Sequence, residues 1–177
     1  MNRQSLEYST SGTAKFLGFA GLIPFVVPVL LMVEGTVSAS GLQSAALFGL
    51  YAPYVFITYS AVILAFLCGA LWGKMVSGKC PDSANAVLIF SNLIALSAWA
   101  STLLIHSVPV MSVFALALLM SGFLAVLFCE RECQQMAQGS LPDEDSPAGD
   151  YWKMRVQLTL IVAFMHLVVI YLMIGEF

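Results

Sequence analysis

Residues 53–73 read PYVFITYSAVILAFLCGALWG, a stretch without a charged side chain that ends at Lys74. About 20 consecutive apolar residues in a helix cross the roughly 30 Å hydrocarbon core of a bilayer. The predicted span reaches about residue 75. Four further apolar runs lie at about residues 15–33, 84–106, 109–129 and 153–174. The sequence therefore predicts an all-α fold, a polytopic membrane bundle of five transmembrane helices.

The composition agrees with a membrane protein. Hydrophobic residues make up 60% of the chain and charged residues 10%, whereas about a quarter of a typical soluble domain is charged. Five spans leave little of the 177 residues for anything else, so we expect residues 1–177 to form a single integral membrane domain. The net charge of −3 offers no basic surface, and nucleic acid is not an expected partner.

The positive charges predict the orientation. Every Lys and Arg falls in a segment that five alternating spans place on one side: Arg3, Lys15, Lys74, Lys79, Arg131, Lys153 and Arg155. Positive residues stay on the cytoplasmic side because they resist translocation. We therefore expect a cytoplasmic N-terminus and an outside C-terminus in a bacterial inner membrane, or in the mitochondrial inner membrane if the protein is eukaryotic.

The first span also resembles a signal peptide, with basic residues before an apolar run. The run reaches Val33 and is longer than a usual signal core, so we expect it to be retained.

The connecting segments are short. Residues 42–50 are apolar but too few to cross, and we expect either a helix at the outer interface or one long helix to Met75 that bends at Pro53. The fourth helix is expected to continue beyond the membrane as a water-exposed helix through Glu130, Arg131 and Glu132 to Gln138. Residues 139–150 form an acidic inner loop rich in turn formers, and Asp150 is the expected N-cap of the last helix.

Two prolines interrupt the first span. Pro24 and Pro28 lie four residues apart, so they share one helical face and remove two backbone donors. The pattern favours a kinked helix that packs in the bundle. A hinge, or the lining of a cavity, is the alternative.

Small residues are expected at helix contacts. Gly69 and Gly73 form a small-xxx-small pair, which lets two helix backbones touch, and Gly18 and Gly21 offer close approach on the first span. The sequence predicts a helix-packing role for all four.

His166 lies about twelve residues into the last span, near mid-membrane, where ionisable groups usually face the bundle interior. The first interpretation is a neutral imidazole that hydrogen-bonds a neighbour such as Asn92, Ser97 or Tyr59. The alternative is a ligand-binding or proton-relay role in a cavity formed with Asn92, Trp99 and Tyr59. Asn92 is expected inside the bundle, because lipid offers its amide no partner.

No catalytic arrangement is visible, and we expect no enzyme activity. The spans contain no Ser/His/Asp grouping and no pair of carboxylates. His106 differs in depth from His166 by roughly 15 Å, which makes the two poor axial ligands for one haem. Cys129 and Cys133 lie four residues apart on one helical face, and Cys80 lies on the same inner side of the membrane. We nevertheless expect these cysteines to be reduced and to bind no metal. No cofactor is expected.

Residues 59–73, YSAVILAFLCGALWG, and residues 16–25, FLGFAGLIPF, resemble an uncharacterised membrane family. This is domain-of-unknown-function family 3429, which includes mitochondrial transmembrane protein 69. Family members often carry a second glycine and then a polar residue before the Trp-Gly pair, where this chain has Ala70 and Leu71. The resemblance implies a multi-span fold and a membrane location, and it brings no established activity.

Two functions follow as hypotheses. The first is a small, non-enzymatic accessory, assembly or interaction protein of the inner membrane, whose partners are the lipid bilayer and other membrane proteins or a second copy of itself. The alternative is a protein that binds or transports a small apolar ligand (a lipid, quinone or tetrapyrrole) in a mid-membrane cavity.

Overall fold

A computed structural model describes residues 12–13, 15–38, 40–77, 84–106, 109–138 and 147–176. Arg3, Lys79, Cys80 and residues 139–146 of the acidic loop lie outside these ranges. The helices are α1 at residues 15–20, α2 Ile23–Val37, α3 Ala52–Val76, α4 Ala84–Leu104, α5 Pro109–Gln138 and α6 Pro147–Ile174.

Five stretches of the described chain are long and apolar enough to cross a membrane: Lys15–Val37, Ala52–Val76, Asn85–Leu104, Val110–Gln135 and Gly149–Ile174. The first combines α1 and α2, and each of the others corresponds to one helix. The predicted all-α bundle of five transmembrane helices is confirmed, and the continuation of the fourth to Gln138 is also correct. This is a multi-pass membrane protein.

The helices pack around α3, which contacts α2, α4 and α5. Helix α6 closes the bundle by packing against α5 and α2. Large side chains fill the interior, among them Phe25, Phe56, Leu64 and Leu116, each at most 1% exposed. Large apolar side chains also cover the outer faces, as a surface in contact with lipid requires: Phe66, Phe114, Leu160 and Phe164.

The first span is interrupted at Gly21 and Leu22, which form a turn between α1 and α2. The Leu22 N–H bonds the Phe19 carbonyl at 3.0 Å, and the Phe25 N–H bonds the Leu22 carbonyl at 3.0 Å. Both bonds span three residues instead of four, so the backbone is locally tightened, as in a 3₁₀ turn. Pro24 follows in the first turn of α2, where a missing N–H is tolerated. Pro28 lies inside α2, and the kink or hinge expected at the two prolines stays a prediction.

Between α2 and α3 the chain forms a small hairpin. A 3₁₀ turn, Leu42–Ser44, precedes strand β1, Ala46–Leu47, which pairs antiparallel with β2, Leu50–Tyr51. Phe48 and Gly49 connect the strands with φ of 53° and 79°, the two positive values that a type I′ turn needs. The predicted interfacial helix and the predicted long helix are therefore both wrong, because two left-handed residues in succession end any helix.

Glu176, which follows α6, is bonded to the 3₁₀ turn that precedes this hairpin. The Glu176 carboxylate accepts a hydrogen bond from the Leu42 backbone N–H at 2.8 Å. At the other end of α6, the helix begins at Pro147, so Asp150 lies in its first turn. The predicted N-cap is wrong: Asp150 instead accepts a hydrogen bond from Lys15 Nζ at 2.7 Å, which ties α1 to α6.

Helices α3, α4 and α5 are in contact at Gly122. A Cβ at this position would lie 2.6 Å from Leu64 Cδ2 and 3.3 Å from Ile94 Cγ2. The absence of a side chain is what lets α5 approach the other two helices.

We expect Gly122→Val to lower the free energy of unfolding by about 2 kcal/mol, because overpacking forces the three helices apart. Ala117→Val is the control, since Ala117 is exposed on the same helix. Unfolding of both full-length variants by sodium dodecyl sulfate, starting from mild detergent, measures the difference. Equal loss of stability in the two would contradict this account of the helix contact.

Candidate functional site

His166 lies in the centre of the bundle with none of its surface exposed. Three phenyl rings surround the imidazole, with centroid distances of 4.8 Å to Phe56, 5.6 Å to Phe123 and 6.4 Å to Phe25. These rings come from α3, α5 and α2. The aromatic box that they form with His166 of α6 joins four of the five spans.

One nitrogen of His166 is satisfied and the other is not. Nδ1 lies 2.8 Å from the Val162 carbonyl oxygen of its own helix, so Nδ1 carries the proton and donates. Nε2 is buried and has no hydrogen-bond partner among the described residues. The partner is therefore not Asn92, Ser97 or Tyr59, as the sequence suggested. An acceptor without a donor remains in the middle of an apolar interior.

Tyr59 has a different role from the one expected. Its hydroxyl donates to the Gly21 carbonyl oxygen at 3.0 Å. That carbonyl is free because the Phe25 N–H has turned to Leu22 instead. Tyr59 thus satisfies the backbone at the break of the first span, and its ring lies 4.8 Å from the ring of Phe25.

Asn92 and Trp99 lie on the face of α4 that points away from the bundle interior. Asn92 is exposed, and its side-chain amide donates to the Leu88 carbonyl of the same helix at 3.1 Å. The prediction that Asn92 faces the interior is wrong, because the amide finds its partner one turn away without leaving the surface. Trp99 is 61% exposed. The structure brings His166 and Tyr59 near the same phenyl ring, but Asn92 and Trp99 do not line that region.

The four glycines fall into two groups. A Cβ on Gly18 would lie 3.0 Å from Leu158 Cδ1, so Gly18 packs against α6, and Gly21 lies at the turn between α1 and α2. Gly69 and Gly73 are exposed, and a Cβ on either meets no described atom within 4 Å. The small-xxx-small face of α3 is therefore unoccupied.

A charged cluster that sequence reasoning missed joins α3, α5 and α6. Glu130 is only 4% exposed and lies between two cations. Lys74 Nζ donates to Glu130 Oε1, and Arg155 Nε donates to Glu130 Oε2 at 3.0 Å. The sequence placed Glu130 on a water-exposed extension of the fourth helix. Its burial between cations depends on how three helices meet, and no local pattern shows that.

Glu34 borders a cavity of about 260 Å³ at the other end of the bundle, between α2 and the hairpin. The hydroxyls that line it are already engaged: Ser38 Oγ donates to the Glu34 carbonyl at 2.7 Å, and Ser44 Oγ donates to the Gly41 carbonyl at 2.8 Å. Glu34 itself is exposed. These groups stabilise the chain turns.

Cys68 and Cys129 are free thiols, whereas Cys133 is disulfide-bonded. The prediction of reduced cysteines is therefore wrong at Cys133, because sequence spacing does not report which thiols the tertiary fold brings together. Among the described residues, no group of three or more His, Cys, Asp and Glu side chains could hold a metal ion.

A family model with the description "Protein of unknown function (DUF3429)" matches residues 10–171 of the chain. No curated protein and no solved structure matches this chain.

We expect Glu130→Ala to lower the free energy of unfolding by about 3 kcal/mol, because it leaves Arg155 buried without its carboxylate. Asp150→Ala serves as the control. Both side chains of the Lys15–Asp150 pair are exposed, so this variant should change stability far less. Thermal unfolding in mild detergent reports both. A similar loss in the two variants would show that burial does not matter for this cluster.

Proposed function

Since the chain belongs to the DUF3429 family, whose description states no activity, we propose a function from its geometry. The protein is a non-enzymatic accessory or assembly protein of a membrane, and it acts by packing a lipid-facing helix surface against a transmembrane helix of another subunit. We assign no catalytic role to His166, because its side chain is buried and enclosed by phenyl rings.

The unoccupied face of α3 supports this proposal. Gly69 and Gly73 lie one turn apart and are open to the outside, while Phe66 and Trp72 project nearby at 70% and 46% exposure. Lipid tails are as apolar as the protein surface, so helices in a bilayer associate through close packing, for which small residues are suited. A flat strip beside large side chains accepts a second helix.

A second copy of α3 is the occupant that the chain itself provides. The same flat strip is present on both copies, and a twofold axis places like surfaces against each other. Self-association through α3 is therefore the form of the proposal that can be tested with the protein alone.

We further propose an inner membrane as the location, with the Lys- and Arg-bearing ends of the helices in the cytoplasm or, in a mitochondrion, the matrix. The support is the charge distribution. Lys15, Lys74, Arg131, Lys153 and Arg155 all lie at the bundle end formed by α1, the end of α3, the end of α5 and the start of α6. We call this the basic end. Cationic residues resist translocation.

We expect Gly69→Ile with Gly73→Ile to weaken self-association in vesicles by about tenfold, or roughly 1.4 kcal/mol, because the branched side chains keep the two helices apart. Energy transfer between labelled full-length copies measures the association. Ala117→Ile, at an exposed position of α5, is the control and should have no effect. A wild-type protein that stays monomeric at every lipid ratio, or an equal effect of the control, would refute self-association through α3.

A specific observation favours the second function, binding of a small apolar ligand. Within the described part of the chain, His166 Nε2 and Thr159 Oγ1 are buried without partners, and a buried polar atom is normally satisfied. They lie seven residues apart on α6, on one helical face. A ligand with a hydroxyl or N–H group would supply the missing donor to Nε2 if the phenyl rings move apart.

Native mass spectrometry of protein purified in mild detergent tests this second function. We expect a small-molecule adduct on the wild type and its loss in His166→Phe, which keeps a ring in the box but removes the acceptor. Ser60→Ala is the control, because the Ser60 hydroxyl already donates to the Phe56 carbonyl at 2.7 Å. An adduct that survives in His166→Phe, or none on the wild type, would exclude the aromatic box as the binding site.

A further inference from the structure

Among the residues that the structure describes, the charged cluster at the basic end holds two cations and one carboxylate. Lys74 and Arg155 share the single carboxylate of Glu130, whose side chain is 5% exposed. The Arg155 side chain is 10% exposed, so it is nearly as enclosed as Glu130. In a medium of low dielectric constant such an excess charge is unfavourable and attracts an anion strongly.

Of the three described charged groups, Lys74 is the most exposed. The Lys74 side chain is 35% exposed, and its Nζ lies 5.6 Å from the centre of the Tyr151 ring. Tyr151 is exposed at the start of α6. An anion that approaches from outside the bundle therefore meets an ammonium group flanked by an aromatic ring, with a guanidinium behind it.

A small cavity of about 20 Å³ lies at this opening, between α3, α5 and α6. Lys74, Glu130, Tyr151 and Arg155 line its polar side, and Leu67 and Val126 line its apolar side. A space of this volume holds roughly one water-sized group, such as one oxygen of a phosphate. The remainder of an occupant would lie outside, along the surface of the helices.

We propose that this opening binds the phosphate of an anionic membrane lipid. The phosphate would balance the second cation of the cluster, and the apolar side of the cavity continues toward the hydrocarbon region, where the acyl chains of a lipid would lie. Basic pockets between transmembrane helices near a membrane surface suit such headgroups. The site is separate from the Gly69/Gly73 face, so it does not depend on the proposed self-association.

Lys74 is the residue to change. Its removal leaves the 3.0 Å bond between Arg155 and Glu130 in place, so the buried carboxylate keeps a partner and the bundle should fold. Arg131 is the matched control, because it is exposed, lies at the same end of the bundle and carries the same charge. Lys74→Arg keeps the charge and should keep binding.

Native mass spectrometry of the full-length protein in uncharged detergent compares phosphatidylglycerol with phosphatidylcholine of the same acyl chains. We expect the wild type to prefer phosphatidylglycerol and Lys74→Gln to lose about fivefold in affinity for it. Arg131→Gln and Lys74→Arg should bind as the wild type does, and binding of phosphatidylcholine should be the same in all four proteins.

Three outcomes would overturn the proposal. Equal binding of the two lipids by the wild type would show that the site does not select an anion. An equal loss in Lys74→Gln and Arg131→Gln would assign the preference to general attraction at the basic end. Complete displacement of phosphatidylglycerol by millimolar inorganic phosphate would assign the site to a free anion instead of a lipid.

Discussion

Every backbone polar group within a bilayer must find its hydrogen bond inside the protein, because hydrocarbon offers none. The rest of this structure depends on that requirement. Four of the five spans satisfy it with one continuous helix each. The first span differs, because the chain turns at Gly21 and Leu22 before Pro24. The Gly21 carbonyl freed by that turn is bonded by the Tyr59 hydroxyl of α3. A break in one helix is therefore tolerated because a second helix supplies the donor.

Polar side chains follow the same requirement in two ways. Asn92 and Ser97 bond carbonyls one turn back on their own helix, and this lets Asn92 lie on the outer surface. Glu130 is satisfied only between helices, by Lys74 and Arg155. His166 is half satisfied, with Nδ1 bonded and Nε2 open. Among the described residues, Thr159 Oγ1 and Gln134 Oε1 are also buried without a partner. Two of these incomplete groups, His166 Nε2 and the second cation beside Glu130, are those for which we propose a ligand.

The surface and the interior support different functions. The Gly69/Gly73 face is exposed and lined by small residues, whereas phenyl rings close the surroundings of His166. Association therefore requires no rearrangement of the bundle, while ligand binding at His166 requires the rings to move. Because moving the phenyl rings would cost free energy that association at the surface does not, we place the assembly role before ligand binding.

The sequence by itself determined the class of fold and most helix bounds, because a run of about 20 uncharged apolar residues has few alternatives to a membrane helix. It failed at residues 42–50, where the turn at Phe48 and Gly49 outweighed apolar composition. It also failed for the direction of Asn92, the partner of Tyr59 and the burial of Glu130. In a helix that is apolar on all sides, periodicity does not show which face is inside. Only the packing of α2, α3, α5 and α6 decided which side chains enclose His166 and which three charges meet at Glu130.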